Sequence, residues 1–440
     1  MRWIGAILLA FGIEGMAFAA PTVTVQAEEA VYQIIPPNNG SGPLWSFGCS
    51  PIARLGQDVI VAQMETGEGV PRLCNTRWRL LRRTDKGWEV INEAEGYRQR
   101  EPALLGVLDE TSLLLNVNDS IMPPGTEYGP CKPYVMKFTL AEPKATVPLM
   151  PTWVGEPHFT DHSYRGFAVD SERHELLMLN IDATTSVENW CWMNAAGETL
   201  RNGGISFPIR SCYPQVALKN GAAYVLAISD IVEPVKEWAE FKFDQTKQKW
   251  DYVFRILYFT YTPDIKTQDF VAPIEIANVD ATAGAISNQD LWIAADGSAH
   301  ILYTQREVQT ALLRDKFFPG RSILPSLHLA VVKDGKIVER KTLHTGVEGE
   351  EAGWARFHET PSGSVYALVS FSGNKPRNEL VRVYPAPETF EFIPVPLKAP
   401  FGSYLLPNTR AGNKPSNSID LIGNADGSEA ISYAQLTIQE

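Results

Sequence analysis

One short motif recurs along this chain of 440 residues and restricts its fold more than any other feature. Each copy is a short apolar run, a polar or glycine-containing turn and a second apolar run, as in AVDSERHELLML and IAADGSAHILYT. Two such runs joined by a turn predict a β-hairpin. The seven turns lie near Gly56, Asp109, Asp170, Asn220, Asp296, Ser362 and Asp426. The sequence therefore predicts seven related hairpins.

The spacing of the turns indicates how many strands belong to each unit. Successive turns are 50 to 76 residues apart, which leaves room for two further strands per unit. Four strands repeated seven times predict an all-β fold, a seven-bladed β-propeller of four-stranded antiparallel blades. The content of 33 glycines and 31 prolines fits many short strands joined by turns. A pair of β-sandwiches is the alternative, although sandwiches do not need one hairpin at regular intervals.

The N-terminus predicts both export and closure of the ring. Residues 1–19 combine an early arginine, an apolar stretch and a final Ala17-Phe18-Ala19, which is typical of a secretory signal peptide. A membrane anchor is the alternative, but the apolar stretch is shorter than a spanning helix requires. We expect residues 20–440 to form a single propeller domain in which PTVTVQAEEAVYQII pairs with the C-terminal strands. The protein is thus predicted to be secreted or periplasmic, without membrane attachment after cleavage, and monomeric.

Net charge restricts the predicted partners, and cysteine content restricts the possible disulfides. The net charge of −12 argues against binding to nucleic acid or to an anionic membrane, although a local group of arginines can still bind an anionic polysaccharide. Five cysteines permit two disulfides and one free thiol, with the pairing left open. His158 and His162 are four residues apart, but on an extended loop this spacing does not define a metal site. No metal or organic cofactor is predicted.

In a propeller, the loop before each innermost strand and the loop between the second and third strands open on the same face, here called the funnel face. The side chains six to eight residues before each turn should therefore surround one funnel. They are Ser50, Glu101, His162 with Tyr164, Tyr213, Asp290, Arg356 and Ser418. Near the starts of third strands, Arg77, Arg255 and Arg321 are predicted to face the same way.

This set of residue types suits the eliminative cleavage of a uronic-acid polysaccharide. An arginine neutralises the sugar carboxylate through two hydrogen bonds, which makes the neighbouring C5 proton more acidic. A histidine, which titrates near neutrality, removes that proton. A tyrosine protonates the departing O4 oxygen. Sialidase-like hydrolysis is less favoured, because the turns lack the Asp-box tryptophan and nothing marks Glu101 and Asp290 as an acid and nucleophile pair.

Three stretches, HFTDHSYRGFAVD, CYPQVAL and YVFRILYFTYTPD, resemble those of secreted propellers of the BNR/sialidase-like superfamily, and in particular the seven-bladed polysaccharide lyases that act on ulvan. The resemblance implies a lyase with catalytic residues His162, Tyr213 and Arg255. A polar insertion separates Tyr213 from Arg255 in this chain. We expect Arg77, Asn75, Tyr164, Glu101 and Arg356 to bind substrate. A non-catalytic propeller that binds glycan or protein, and a glycoside hydrolase, remain the alternatives.

Overall fold

The protein is described by a computed structural model, which covers residues 21–46, 49–162 and 164–440; the predicted signal peptide lies outside this range. The chain forms seven four-stranded antiparallel sheets. These are the blades of a seven-bladed β-propeller, so the predicted fold class is confirmed. The alternative of two β-sandwiches is wrong, because each sheet belongs to its own blade and packs only against its two neighbours in the ring.

The blades are numbered 1 to 7 in the order of their innermost strands along the chain, from β2 to β28. Each blade places one strand at the central channel and one at the rim. The innermost strands are β2 (Ile52–Leu55), β6 (Leu104–Val107), β10 (Gly166–Asp170), β14 (Ser211–Lys219), β20 (Ala285–Ile293), β24 (Glu350–Glu359) and β28 (Phe401–Leu405). The second strands are β3 (Asp58–Thr66), β7 (Ser112–Ser120), β11 (Glu175–Ile181), β15 (Ala222–Ser229), β21 (Ala299–Arg306), β25 (Val365–Gly373) and β29 (Ser418–Ala425). The third strands are β4 (Thr76–Thr84), β8 (Cys131–Thr139), β12 (Glu188–Asn194), β18 (Ile256–Thr262), β22 (Ser326–Lys333), β26 (Arg377–Tyr384) and β30 (Ala430–Gln439). The outermost strands are β5 (Gly87–Glu93), β9 (Val147–Leu149), β13 (Thr199–Ile205), β19 (Ile274–Asn278), β23 (Lys336–His344), β27 (Phe392–Val395) and β1 (Thr22–Gln33).

The hydrophobic cores lie between the blades. Every junction of two adjacent blades encloses an apolar cluster; for example, Ala53, Leu80 and Leu105 lie between blades 1 and 2. Because both faces of an inner strand are covered by neighbouring blades, these strands are buried on both sides, as Leu176 and Leu177 of β11 are. Burial of this apolar area, at about 25 cal/mol per Å², is the main source of stability for the ring.

The seventh blade combines strands from both ends of the described chain. Strand β1 pairs with β30 along its length, from Thr22 opposite Gln439 to Gln33 opposite Ala430. Six of the predicted turns join a first to a second strand, but the turn near Asp426 joins β29 to β30, the second and third strands of blade 7. The prediction that this turn joins a first to a second strand is wrong. Because it joins a second to a third strand, it opens on the funnel face.

The true connection between β28 and β29 is a longer segment, residues 406–417, which we call the crossing loop. It lies across the channel on the face opposite the funnel. Its backbone accepts hydrogen bonds from Val107 of blade 2 and Val169 of blade 3, and its backbone at Ser416 donates to Glu359 of blade 6. Its side chains reach the backbone of Arg54 in blade 1. This loop closes one end of the channel.

Two insertions interrupt the blade pattern on the funnel face. Between β15 and β18 the chain forms a two-stranded sheet, β16 (Ile231–Val232) and β17 (Tyr252–Val253), around helix α1 (Lys236–Thr246). Between β21 and β22 it forms helix α2 (Ala311–Phe317), which packs against α1 through aromatic rings. Neither helix, nor any other in the described ranges, has the length and apolarity that crossing a bilayer requires.

Candidate functional site

Four aromatic side chains meet at the funnel mouth: Trp45, His162, Tyr164 and Tyr213, here called the aromatic cluster. The His162 ring stacks on Trp45, with centroids 4.9 Å apart and planes 7° from parallel. His162 also contacts Tyr164, whose ring centroid is 3.9 Å away. Tyr164 meets Tyr213 edge to face at 4.7 Å. The predicted histidine and tyrosines therefore form one continuous group.

Backbone geometry explains how the two tyrosines come together. Tyr164 has φ 44° and Tyr213 has φ 55°, values in the left-handed region that bulky residues rarely adopt. Tyr213 also lies within the bulge that interrupts the pairing of β14 with β15 between Cys212 and Gln215. A bulge redirects a side chain out of the regular alternation of a strand. Such backbone strain is concentrated at functional sites, and here it accompanies the contact of Tyr164 with both His162 and Tyr213.

A buried carboxylate holds His162. The Nδ1 atom of His162 lies 2.9 Å from Oε1 of Glu101, and the Glu101 side chain is only 8% exposed. An ionised Glu101 accepts a hydrogen bond from Nδ1–H. A neutral His162 ring then carries its lone pair on Nε2. Trp45 and Glu101 thus fix both the plane and the tautomer of the imidazole.

Two ion pairs flank the aromatic cluster. Arg100 lies 3.4 Å from the buried carboxylate of Asp161, and its guanidinium lies over the Trp45 ring. Burial raises the pKa of Asp161, and the Arg100 charge opposes that effect. On the other side, Arg210 pairs with Asp230 at 3.1 Å and places its guanidinium 5.1 Å from the centre of the Tyr164 ring. Positive charge therefore borders the cluster on two sides.

Burial keeps the two tyrosines protonated. Desolvation raises the pKa of Tyr213 above its ordinary value, and the adjacent Tyr164 adds to this. Desolvation and the Asp230 carboxylate likewise raise the pKa of Tyr164, while Arg210 opposes the rise. Both phenols therefore carry their protons across the neutral range and are available as hydrogen-bond donors.

A small cavity of about 20 Å³ adjoins the cluster. Glu101, Leu104, Tyr164, Arg165 and Tyr213 are among the residues that line it. The alternation of side chains predicts that Arg165 points away from this side, and that prediction is wrong. Its guanidinium is buried at the cavity, where it donates to the carbonyl oxygens of Asn116 and Pro102. These backbone contacts join blades 2 and 3.

The structure does not bring Arg255 to the aromatic cluster. Arg255 is 1% exposed, and its guanidinium binds both carboxylate oxygens of Glu233, at 3.0 and 2.5 Å. Asp280 accepts a further hydrogen bond at 3.3 Å, and the Trp238 ring covers the group. The predicted role as a neutraliser of substrate carboxylate is corrected, because protein carboxylates already occupy this guanidinium. Arg255 instead fastens the blade 4 insertion.

Three predicted substrate-binding residues also lie apart from the cluster. Arg77 pairs with Glu65 and, at 3.2 Å, with Glu93 of blade 1. Asn75 is buried and donates to the carbonyl of Pro37, which anchors the segment that follows β1. Arg356 is buried beside the Trp354 ring, and burial lowers its pKa to about 10. The structure brings together His162, Tyr164, Tyr213 and Glu101 from the predicted set, but not these three.

The remaining funnel predictions divide between the two faces. Arg321 lies in an exposed loop of the funnel face and pairs with Glu307, while Ser50 is buried and bonds to Ile52 beside it. Asp290 and Ser418 instead line a cavity beside the crossing loop, so their predicted position is wrong. Ser418 begins a second strand rather than a first, because the seventh hairpin was assigned to the wrong strand pair.

Sequence reasoning missed Trp45 and Arg210. Trp45 precedes the first turn by more residues than the six to eight that defined the predicted funnel set, because the loop GSGPLWSFGCS is longer than its counterparts. The large aromatic side chain between glycines and a proline was the available signal. Arg210 lies three residues before Tyr213 and immediately precedes β14.

The described ranges contain no group of three or more His, Cys, Asp or Glu side chains arranged to hold a metal ion. His158 instead lies 3.4 Å from the hydroxyl of Thr184. All five cysteines lie in these ranges, are buried and are present as free thiols, so the two disulfides that the sequence permits are not formed.

No protein-family model and no curated protein matches the chain. Solved structures do match its fold. The polysaccharide lyase Uly1 aligns with a TM-score of 0.51 at 10% identity, covering 94% of this chain and 99% of the other. An ulvan lyase of family PL25 aligns with a TM-score of 0.59 at 9% identity, covering 94% and 98%.

A second structure of a PL25 ulvan lyase, bound to -[GlcA(1-4)Rha3S]-, gives a TM-score of 0.57 at 9% identity and covers 93% of this chain and 97% of the other. At these identities the likeness establishes a shared fold. The protein is thus a seven-bladed propeller of the same architecture as known polysaccharide lyases. Membership of the BNR/sialidase-like superfamily stays a prediction.

Proposed function

We propose that the protein is a polysaccharide lyase that cleaves a uronic-acid-containing glycan by β-elimination at the aromatic cluster. The observation that carries the proposal is the contact of His162, held by Glu101, with Tyr164 and through it with Tyr213. A base and a proton donor side by side on one funnel are what elimination requires. The likeness of fold to structures of ulvan lyases supports this reading.

His162 is the general base. Because Nδ1–H donates its hydrogen bond to Glu101, Nε2 is the atom that receives the proton from C5 of the uronic acid. The electrons of the C5–H bond form the C4–C5 double bond, and the C4–O4 bond breaks. The developing imidazolium is stabilised by the Glu101 carboxylate, as a buried carboxylate stabilises histidine in other acid–base sites.

Tyr213 is the general acid. Its phenol gives its proton to O4 as that oxygen leaves, and the tyrosinate afterwards recovers a proton from water. A phenol with a raised pKa remains protonated until the strongly basic O4 develops. Tyr164 is a positioning residue, since it lies between His162 and Tyr213 and contacts both rings.

Arg210 takes the role first predicted for Arg255. Its side chain is 30% exposed and lies next to Tyr164, whereas the Arg255 side chain is 2% exposed and is bound to the Glu233 carboxylate. Asp230 holds the guanidinium in place on one side and leaves donors for a substrate carboxylate on the other. Neutralising that carboxylate makes the C5 proton easier to remove.

A non-catalytic glycan-binding propeller is the second candidate. The observation that favours it is the stacking of Trp45 on His162, which builds a broad aromatic surface of the kind that binds sugars without reaction. Glycoside hydrolysis has less support, because the nearby carboxylates are bound to basic partners: Glu101 to His162, Asp161 to Arg100 and Asp230 to Arg210. A hydrolase needs two carboxyl groups facing the scissile bond.

The test is incubation of the purified protein with a panel of uronic-acid polysaccharides that includes ulvan, followed by the ultraviolet absorbance of the C4–C5 double bond. We expect absorbing product from at least one polysaccharide. Tyr213→Phe should lower its rate about 10²-fold or more, while Tyr128→Phe, at an exposed tyrosine of the funnel face, should not. Reducing ends without absorbance would establish hydrolysis instead. Binding without product would establish the binding propeller.

The proposal includes export and an extracellular or periplasmic anionic polysaccharide as the partner. It is supported by the signal-like sequence of residues 1–19. Mass spectrometry of the protein recovered outside the cytoplasm should give an N-terminus at Ala20. A protein retained in the cytoplasm with Met1 intact would contradict this part of the proposal.

A further inference from the structure

Two aromatic rings project into solvent from the blade 4 insertion. Trp250 is 82% exposed and Tyr252 is 39% exposed. Their rings stack on one another, with centroids 6.4 Å apart and planes 22° from parallel. Large aromatic side chains are normally buried, so an exposed and ordered pair points to a binding surface. We call these two residues the aromatic platform.

A buried charge network holds the platform in this orientation. Asp251, between the two aromatic residues, accepts a hydrogen bond from Nζ of Lys242 at 2.7 Å. Its backbone carbonyl accepts another from the amide of Glu233 at 2.8 Å. Glu233 is in turn bound by Lys242 and Arg255. Because Asp251 faces inward, its two neighbours face outward, as successive side chains of an extended segment do.

The other tryptophan of the insertion shows that exposure is not a general property of this segment. Trp238, in α1, packs against Phe317 and Phe318 of the α2 region and lies over Arg255. The insertion therefore has its own aromatic core. The platform is not needed for that core, since Trp250 leaves most of its surface to solvent.

The platform lies in the chain segment that leads to Phe254, a residue in contact with the candidate site. Phe254 contacts Tyr213, with ring centroids 5.8 Å apart, and Tyr252 precedes Phe254 by two residues. Trp250 precedes it by four, so even a fully extended chain places Trp250 within about 14 Å of Phe254. Both groups belong to the funnel face. A glycan chain leaving the aromatic cluster on the blade 4 side passes next to the platform.

We propose that Trp250 and Tyr252 form a distal subsite that binds a sugar ring of the polysaccharide several units from the bond that is cleaved. The proposal rests on the lyase function proposed above. The flat apolar face of a pyranose ring packs against an aromatic face and removes both from water. Lys247, whose side chain is 70% exposed, and the exposed Lys249 lie within three residues of Trp250 in the sequence. Their charges complement an acidic glycan.

The test compares Trp250→Ala in the full protein with the wild type on long polysaccharide and on short oligosaccharides of the same polymer. On the long substrate KM should rise about 10-fold, which corresponds to about 1.4 kcal/mol, with kcat unchanged. On oligosaccharides too short to reach the platform both constants should be unchanged. Phe243→Ala is the matched control, because Phe243 is an exposed aromatic residue of α1 outside the platform.

Two results would overturn the subsite. One is an unchanged KM on long substrate; the other is an equal loss on long and short substrates with lower kcat, which would mean that Trp250 supports the structure of the site. If the wild type yields no product from any polysaccharide, the lyase function fails, and the platform is judged by calorimetric binding of the same polysaccharides. Weaker binding by Trp250→Ala than by Phe243→Ala then supports the platform, and equal or absent binding overturns it.

Discussion

The two faces of the propeller use the same inner strands for opposite purposes. On the face opposite the funnel, six tight hairpin turns and the crossing loop close the channel, and the buried Arg410 pairs with Asp290 at 2.6 Å. On the funnel face, the segments before β10 and β6 bring His162 and Glu101 together at 2.9 Å. Each face contains a close pair of ionisable side chains. The His162 side chain on the funnel face is 24% exposed, whereas those of Arg410 and Asp290 are each 3% exposed.

The difference lies in how completely each charged pair is surrounded. Asp290 also accepts a hydrogen bond from the amide of Phe357, and Arg410 donates to the carbonyl of Val216, so protein groups enclose the pair from three blades. His162 has one polar partner at Nδ1 and is otherwise bordered by aromatic rings. We therefore expect substitutions on the closed face to change stability and substitutions on the funnel face to change activity.

The largest expected effect is on stability, from Arg410→Met. This change leaves the Asp290 carboxylate buried without its partner, which costs about 3–5 kcal/mol. The denaturant midpoint should fall accordingly, while product formation per folded molecule stays the same. Arg382→Met, at a partly exposed arginine of blade 6, is the control. A stability equal to that of the control would show that the closed face does not depend on this pair.

Next in size is the effect of His162→Asn on catalysis. Removal of the general base should lower product formation about 10²-fold or more, equivalent to about 2.7 kcal/mol in the barrier. The melting temperature should remain within the range of surface variants. His174→Asn, in the turn after β10 on the opposite face, should retain full activity. If His162→Asn unfolds the protein instead, the two faces do not differ in the way described.

A smaller effect is expected from Gly412→Ala in the crossing loop. Gly412 has φ +79°, and an added Cβ would lie 2.0 Å from the carbonyl oxygen of Val107. Gly363→Ala is a matched control, because Gly363 has φ +84° with open space around its Cα. Both variants carry the conformational cost of about 1 kcal/mol, but Gly412→Ala should lose about 1–2 kcal/mol more because the loop must move. Chemical denaturation measures the difference, and equal losses would show that the loop adapts freely.

The smallest effect is a dependence of stability on pH. Burial lowers the pKa of His300 to about 4 and also lowers the pKa of His358, which bonds to the crossing loop at Ser416. Below pH 6.5 the unfolded chain binds protons that these folded histidines do not, so stability falls as the pH drops from 6.5 toward 4. At pH 5.5 His300 alone should contribute a loss of about 1 kcal/mol relative to pH 7.5. Urea unfolding at both pH values should show this loss, and His300→Gln should remove that part of it. If stability depends on pH as strongly in the variant as in the wild type, the loss belongs to other groups.

The regular part of the fold could be predicted because its signal is local. A polar turn between two apolar strands is encoded within about a dozen residues, as at Asp296 and Ser362, and six such hairpins were placed correctly. The seventh was not, because β28 and β29 are joined by a loop of twelve residues and the tighter turn at Asp426 matched the pattern better. Loop length is set by contacts with other blades, which sequence spacing does not reveal.

The site could be predicted only where its residues lie six to eight residues before a regular turn, near the start of an innermost strand. His162, Tyr164, Tyr213 and Glu101 meet this condition. Arg255 does not, because its partner Glu233 belongs to an insertion whose packing is independent of the blade pattern. An arginine next to aromatic residues has the same local sequence whether it faces a ligand or a buried carboxylate. The choice depends on the distant partner.

The pairing of β1 with β30 sets the order in which the ring can assemble. Hairpins within blades 1 to 6 connect neighbouring segments and can form quickly, whereas Thr22 must meet Gln439 across nearly the whole sequence. During synthesis the hydrogen-bonding edge of β1 therefore remains unpaired until β30 is made. Alternating exposed residues along β1, including Thr22, Thr24 and Gln26, make the unpaired strand polar on one side and less prone to associate with other chains.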